Sequence, residues 1–305
     1  MEDLSRYVEL GIVHFMAFPE TIRGEKGILE SIRKILLDDD FQVIEVTWIK
    51  DPKVRKEAAE LFDQSGIKVL YAAQPRVLLQ GLNPNALNEE ERKRAVEDLK
   101  KGIDEAIEIG AKGFAFLAGK DPGPEKRSEA KKQLIKTISE LCEYARSREK
   151  DLMVELEIFD REIDKKALIG PSREAAEIAK IVRKEHSNFG LLHDLSHLPL
   201  LGESPKEALE PIKKYLTHIH IGSCVLDPSH EAYGDKHPRF QLKGSEVDVY
   251  DLRDFLKTLF DIGYLGGEPR VVSFEVSPRP GEDPELVIAS SKRFLWRAWS
   301  MLKIP

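Results

Sequence analysis

Histidine and carboxylate residues are concentrated where several apolar runs of this chain end. Four of the eight histidines lie in two short motifs, HDLSH at 193–197 and HIH at 218–220. Acidic residues stand at the ends of two further runs, Glu155 and Glu157 in one and Glu275 in the other. Brought to one point, carboxylates and imidazoles would form an oxygen- and nitrogen-rich site for Mn²⁺, Mg²⁺, Co²⁺ or Zn²⁺, with positions open to substrate. The set is too rich in carboxylate for a closed structural zinc site.

The elements that must position these residues follow a repeated pattern of an apolar run, a loop and a charged amphipathic segment. Near-continuous apolar runs of this length are typical of parallel strands covered on both faces. The predicted strands lie within 7–15, 41–49, 67–73, 112–119, 151–159, 188–194, 216–222 and 270–276.

The segments between the runs carry helix signals. After the second run, Asp51 is a candidate N-cap, Pro52 stands in the first turn and Gly66 ends the segment, and Asn88 is a candidate cap for the next helix. Eight strands alternating with eight helices in 305 residues predict an α/β fold, a single (β/α)8 TIM barrel domain over 1–305. A doubly wound open sheet is the alternative, but the first loop lacks its Gly-rich turn.

Two predicted connections are long, at 73–88 after the third strand and at 223–247 after the seventh. Both follow strands, so in a barrel both lie on the C-terminal face, where TIM-barrel active sites form. The chemistry-bearing strand ends are therefore expected to converge on the same mouth.

Composition and charge exclude several classes of protein. The net charge of −7 argues against a nucleic-acid-binding protein, which needs a basic face. The N-terminus, MEDLSRYVEL, lacks the layout of a signal peptide, and no run approaches the roughly 18 apolar residues of a membrane helix. The two cysteines, Cys142 and Cys224, make no disulfide framework, so the expected location is the cytoplasm.

Four motifs carry a resemblance to a known superfamily: VELE at 154–157, HDLSHLPLLGE at 193–203, HIHIG at 218–222 and GYLGGEPRVVSFE at 263–275. Together they resemble the xylose isomerase-like barrels, which include sugar epimerases of the tagatose 3-epimerase type, hydroxypyruvate isomerase, inosose dehydratase and, more distantly, endonuclease IV. The resemblance runs over most of the chain and specifies the superfamily rather than a substrate.

The resemblance implies a metal-dependent isomerase. By motif, the metal ligands are Glu157, Asp194, His220 and Glu275, and His197 hydrogen-bonds a substrate hydroxyl or carbonyl. The two glutamates also serve as catalytic acid and base, in proton transfer through a metal-stabilised enediolate. The expected cofactor is a divalent ion, Mn first, with Co, Zn, Mg or Fe as alternatives.

Two positions depart from the epimerase pattern, because Leu226 and Ile163 stand where those enzymes carry an Arg and a second Glu that touch substrate. The tract GDKHPRF at 234–240 is similar to one in metal-binding subunits of C-glycoside deglycosidases. The alternative function is therefore a metal-dependent lyase or deglycosidase acting on a 3-oxo-sugar. An endonuclease IV-like phosphodiesterase is a remote alternative, since it needs more histidine ligands and a less acidic surface. A non-catalytic sugar-binding barrel would leave the carboxylates without a role.

Further residues are predicted to face or lie close to the mouth and to contact a small-molecule sugar or sugar derivative. They are His14, Glu45, Trp48, Gln74, Lys120, His197, His237 and Arg239. No membrane partner and no nucleic acid are expected, while a homo-oligomer and a partner subunit are left open.

Two residues are expected one layer below the site. Glu155 precedes Glu157 by two residues and His218 precedes His220 by two, so strand alternation points each pair the same way. We predict that Glu155 and His218 pair with each other. His193, next to Asp194, should point to the opposite face, toward the helices.

Overall fold

The protein, seen in a computed structural model that describes residues 2–303, is a closed parallel barrel. Within those residues, eight strands pair in chain order and β1 also pairs with β8. The strands are β1 (Val8–Val13), β2 (Val43–Val46), β3 (Lys68–Ala72), β4 (Gly113–Leu117), β5 (Met153–Glu157), β6 (Phe189–Asp194), β7 (Leu216–Ile221) and β8 (Arg270–Phe274). Each predicted run contains one of these strands, so the (β/α)8 prediction is confirmed.

Helices connect the strands and cover the barrel. They are α1 (His14–Ala17), α2 (Ile28–Leu36), α3 (Pro52–Ser65), α4 (Gln74–Gln80), α5 (Glu89–Glu108), α6 (Pro124–Arg148), α7 (Ser172–Val182), α8 (His197–Leu201), α9 (Pro205–Ile212), α10 (Val249–Asp261) and α11 (Pro284–Ser300). Among residues 2–303, none of these helices combines the length and apolar character needed to cross a bilayer.

The predicted helix caps are confirmed. The Asp51 carboxylate accepts a hydrogen bond from the backbone N–H of Lys53, and the Asn88 side chain accepts from those of Glu90 and Glu91. These bonds satisfy backbone donors that the first helical turn leaves unpaired. These local hydrogen bonds thus fix where α3 begins after β2 and where α5 begins before β4.

The predicted loop at 73–88 is not wholly a loop, because α4 occupies its first half. Pro75 stands in the first turn of α4, and Gly81 ends it in the left-handed conformation with φ of 60°. At seven residues, α4 is too short to show a helical period in the sequence. Its position after β3 sets Gln74 at the barrel mouth.

The second long connection, 223–247, has neither helix nor strand in the described structure but is firmly packed. The Phe240 ring stacks on Phe294 of α11, with ring centroids 4.4 Å apart. An isolated bridge joins Pro238 to Ser277 beyond β8. These contacts hold the segment over the β7–β8 side of the mouth.

A register shift in β7 affects the barrel interior. Leu191 pairs with Leu216 and Leu192 with His218, so Thr217 is an extra residue in the ladder. Beyond this bulge the pairing continues regularly and sets Asp194 opposite His220. Bulges of this kind redirect side chains next to functional sites.

Candidate metal centre

The buried acidic and histidine side chains meet where the strands end. Glu157 and Asp194 are the last residues of β5 and β6, His220 is the penultimate residue of β7, and Glu275 directly follows β8. All four are buried. Parallel strands of a TIM barrel present their carboxyl ends on one face, so residues far apart in the chain become neighbours.

Three of the four predicted ligands form one compact group. His220 Nδ1 lies 2.7 Å from Glu275 Oε2 and 3.8 Å from Glu157 Oε1. Glu157, His220 and Glu275 can each offer one ligand atom, and these atoms lie within 4.8 Å of one another. Two carboxylates and an imidazole at this spacing are a suitable donor set for a divalent transition metal.

The fourth predicted ligand, Asp194, lies in an adjoining group. Its candidate ligand atom lies within 4.8 Å of those of His197 and His237. His237 joins the two groups, since its Nδ1 lies 3.7 Å from Asp194 Oδ2 and its Nε2 lies 3.5 Å from Glu275 Oε1. The structure therefore brings all four predicted ligands to one region, with His237 between them.

Glu45 holds the far side of the His220 ring. The Nε2–H of His220 donates to Glu45, at 3.0 Å from Oε2 and 3.2 Å from Oε1. Burial would raise the pKa of the Glu45 carboxyl, but His218 and His220 outweigh it and hold that pKa well below its usual range. A carboxylate on the outer nitrogen fixes the ring and directs Nδ1 toward Glu157 and Glu275, as it does for metal-bound histidines.

The group has more negative charge than its hydrogen bonds satisfy. Glu157 Oε1 and Asp194 Oδ2 are buried and accept no hydrogen bond from any residue in the described part of the chain. Burial, and repulsion by Glu275, raise the pKa of the Glu157 carboxyl. A buried carboxylate oxygen without a partner is costly, and a cation between these oxygens would relieve that cost. The residues present therefore fit a bound divalent metal.

Below this group lies the predicted pair of Glu155 and His218, whose contact is confirmed. His218 Nδ1 is 3.3 Å from Glu155 Oε2, and its Nε2–H donates to Glu45 Oε1 at 2.9 Å. Burial alone would lower the pKa of His218, but the carboxylates on its two nitrogens raise it to about 9. Thr217, the extra residue of the β7 bulge, also donates to Glu155, at 2.6 Å.

The two histidines of HDLSH have different surroundings. His193 faces the helices, as predicted, with its Nε2 3.2 Å from the Ser172 hydroxyl at the start of α7. His197 Nδ1 donates to the backbone oxygen of Ile158 at 2.7 Å, and its Nε2 lies 3.3 Å from Asp235 Oδ1. His197 is fully buried beneath the mouth.

A cavity of about 170 Å³, here called the mouth cavity, opens above the group. It is lined by His220 and Glu275 from the metal group, and by the predicted contacts Gln74 and His237. The Gln74 amide donates to Glu157 Oε2 at 2.6 Å and leaves Oε1 without a hydrogen bond from the described residues. The Gln74 oxygen has no hydrogen-bond partner within the described residues and could accept one from a substrate hydroxyl.

Six of the eight predicted substrate contacts lie outside the lining of the mouth cavity: His197 and Glu45, described above, and His14, Trp48, Lys120 and Arg239. His14 Nε2 lies 2.7 Å from the Ser31 hydroxyl, in a site whose burial lowers the His14 pKa to about 3. The Trp48 indole donates to the backbone oxygen of Ile22 at 2.7 Å. Arg239 pairs with Glu282 at 3.0 Å, and Lys120 lines a separate cavity beside α4.

Lys165 and Asp235 line the mouth cavity but were not among the predicted site residues. Lys165 Nζ lies 2.9 Å from Asp235 Oδ2, and Asp235 Oδ1 lies 2.9 Å from His237 Nε2. The sequence offered one sign of this part of the site: Asp235 is an acidic residue two positions before His237 in the long insert. Asp235 thereby ties that insert to the loop after β5.

Gly222 ends the HIHIG motif at a point of close approach. A Cβ atom there would lie 2.6 Å from the backbone oxygen of Glu275 and 2.9 Å from His237 Nδ1. Only a residue without a side chain lets β7 pass this close to the candidate metal group.

Comparison with known proteins gives consistent matches. A sequence model of the xylose isomerase-like TIM barrel family matches residues 34–297. The uncharacterized protein MJ1311 of Methanocaldococcus jannaschii is 25% identical over 274 residues, which cover 88% of this chain and 83% of that protein. The crystal structure of a D-tagatose 3-epimerase-like protein matches with a TM-score of 0.72 at 20% identity, covering 96% of this chain and 99% of the other. The crystal structure of the IolI protein with a binding zinc atom matches with a TM-score of 0.72 at 17% identity, covering 96% of this chain and 98% of the other.

Proposed function

The chain belongs to the xylose isomerase-like TIM barrel family, and on that premise we propose that it is a divalent-metal-dependent sugar isomerase or epimerase. The observation that carries the proposal is the buried group of Glu157, His220 and Glu275, whose ligand atoms lie within 4.8 Å of one another and of which His220 and Glu275 line an open cavity. Similarity in fold to a D-tagatose 3-epimerase-like protein supports the same class of substrate.

Glu157, His220 and Glu275 would hold the ion, with Asp194 beside them. Manganese is our first candidate, because carboxylates outnumber imidazoles in this set. The bound ion would polarise a substrate carbonyl and stabilise the negative charge that develops when the neighbouring carbon loses a proton. Similarity to the IolI protein, whose structure has a bound zinc atom, is in keeping with a metal bound by this fold.

Glu157 and Glu275 are the proposed acid and base. Glu157 ends β5 and Glu275 follows β8, so the two carboxyls come from strands that are not neighbours in the barrel. Gln74 donates to one oxygen of Glu157, and one oxygen of Glu275 lies 2.7 Å from His220 Nδ1. Inversion at a carbon by proton transfer uses one group on each side, one to remove the proton and one to return it, and we assign these roles to the two carboxyls.

Proton exchange with solvent tests this proposal. The Mn²⁺-loaded protein is incubated in D₂O with a panel of ketoses and 3-oxo-sugars, and deuterium in the recovered sugar is measured by mass spectrometry. We expect deuterium next to the carbonyl of at least one sugar, lost in Glu157→Gln and in Glu275→Gln. Glu9→Gln is the matched control, because Glu9 lies on β1 and pairs with Lys68 away from the cavity.

Two results would count against the proposal. Exchange that persists in both glutamate variants would exclude these residues as acid and base. Release of an eliminated or cleaved product, with no isomerised sugar, would replace the isomerase by the lyase or deglycosidase alternative.

A further inference from the structure

The mouth cavity is unevenly polar, and this asymmetry bears on the substrate. Nine of its fifteen lining residues are apolar. The polar ones include His220, His237 and Glu275, which come from β7, the long insert and the end of β8. The apolar ones come mostly from two other segments, the end of β1 with the residues that follow it, and α4. One side of the cavity is therefore polar and charged, and the other is hydrocarbon.

The apolar side forms a surface of its own, separate from the barrel core. Val13, Phe15 and Ala72 form a buried cluster distinct from the main core, with Met16 and Ile22 packed against it. On α4, Leu78 and Leu79 extend this surface to the rim, and they are 45% and 42% exposed. We call this surface the apolar wall. It consists of Val13, Phe15, Met16, Ile22, Ala72, Leu78 and Leu79. Apolar side chains that a monomer leaves in water beside a polar site mark ligand-binding surface.

A plain sugar would be poorly matched to this wall. Its hydroxyls would lose water on that side without gaining hydrogen bonds, which costs free energy for each group. Gln74 is a polar exception on the α4 side, and one of its bonds is already made with Glu157. An apolar substituent would instead gain by leaving water there.

Resting on the proposed metal-dependent function, we infer that the substrate is a hydroxycarbonyl compound that carries an apolar, aryl-sized substituent. The hydroxycarbonyl part lies over Glu157, His220 and Glu275, and the substituent lies on the apolar wall against Leu78 and Leu79. The alternative is that a second copy of the chain covers the exposed leucines. The experiment below distinguishes such a subunit contact from a bound substrate.

Two hydroxamates that share one chelating group test the inference by binding alone. Acetohydroxamate and benzohydroxamate both offer two adjacent oxygens to the Mn²⁺-loaded protein, but only the second carries a ring. We expect benzohydroxamate to bind about 10- to 100-fold more tightly in calorimetric titration, as burial of one aromatic ring implies. In Leu78→Ser/Leu79→Ser the preference should fall to about threefold or less, with acetohydroxamate affinity unchanged.

Leu37→Ser/Leu286→Ser is the matched control, since these leucines are 83% and 67% exposed and lie outside the cavity lining. It should keep the full preference. Equal affinity of the two probes, or a preference that survives in Leu78→Ser/Leu79→Ser, would overturn the inference and leave the proposed function intact. A change of oligomeric state in Leu78→Ser/Leu79→Ser, with the preference kept, would assign the leucines to a subunit contact. Failure of both probes and of Mn²⁺ itself to bind would overturn the proposed function as well.

Discussion

Replacement of Glu45 by Gln should weaken metal binding although Glu45 is not itself one of the proposed ligands. The carboxylate accepts from the Nε2–H groups of both His218 and His220, at 2.9 and 3.0 Å. Gln keeps the shape but has one acceptor oxygen, so its NH₂ group must face one of these two donors. It also removes the negative charge that makes the His220 ring a stronger ligand.

The size of the effect follows from these contacts. Loss of a carboxylate behind a metal-bound histidine typically costs about 10- to 100-fold in metal affinity, or about 1.4 to 2.7 kcal/mol. The free energy of unfolding should fall too, by about 3 kcal/mol, because a buried His218 loses one of its two carboxylate partners. The assay is a Co²⁺ titration followed by visible absorbance, with urea unfolding of the metal-free protein alongside.

Glu155→Gln separates the two effects. Glu155 contacts the other nitrogen of His218 but does not reach His220. It should lower the free energy of unfolding by a similar amount and leave metal affinity within about threefold of wild type. The reasoning would be refuted if both variants weakened metal binding equally, or if Glu45→Gln did not weaken it at all.

Three further outcomes are expected. Gly222→Ala should weaken metal binding about tenfold or more, because its Cβ would lie 2.6 Å from the backbone oxygen of Glu275 and displace His237; Co²⁺ titration measures this. Arg76→Ala should lower the free energy of unfolding by about 2 to 4 kcal/mol in urea with metal content unchanged, because it strips two carboxylates on α5 of their partner. Burial raises the pKa of the Cys142 thiol to about 12 and that of Cys224 also, so neither should react with an aromatic disulfide reagent at pH 8 until the protein is denatured.

The barrel could be predicted because its strands are buried on both faces. Runs such as 112–119 and 188–194 are apolar over most of their length, and this pattern separates them from the amphipathic helices. Short helices such as α4 and α9 were missed, because seven or eight residues show too little of a helical period.

The site could be predicted where strand order alone decides position. Glu157, Asp194, His220 and Glu275 stand at strand ends, and closure of the barrel brings those ends together. The pairing of Glu155 with His218 followed from strand alternation in the same way.

The rest depended on contacts that no local pattern encodes. Glu45 meets His220 across the barrel, 175 residues apart in sequence, and was predicted as a substrate contact near the mouth rather than as a partner of that histidine. Lys165 and Asp235 belong to segments without helix or strand, whose packing is decided by particular side-chain contacts. His14 was predicted to contact substrate because it follows a strand. Its ring lies instead against the Ser31 hydroxyl, a contact that its place in the sequence did not indicate.

The central claim is that this chain holds a divalent ion between the strand ends, and metal content tests it most directly. The protein would be purified without added metal, reloaded with Mn²⁺, dialysed and analysed for its elements, together with alanine variants of the ligands and Glu9→Gln as control. The account predicts about one tightly held ion per chain in wild type and control, and its loss in Glu157→Ala, Asp194→Ala, His220→Ala and Glu275→Ala. Wild-type protein that retains no ion, or variants that retain it fully, would contradict the account.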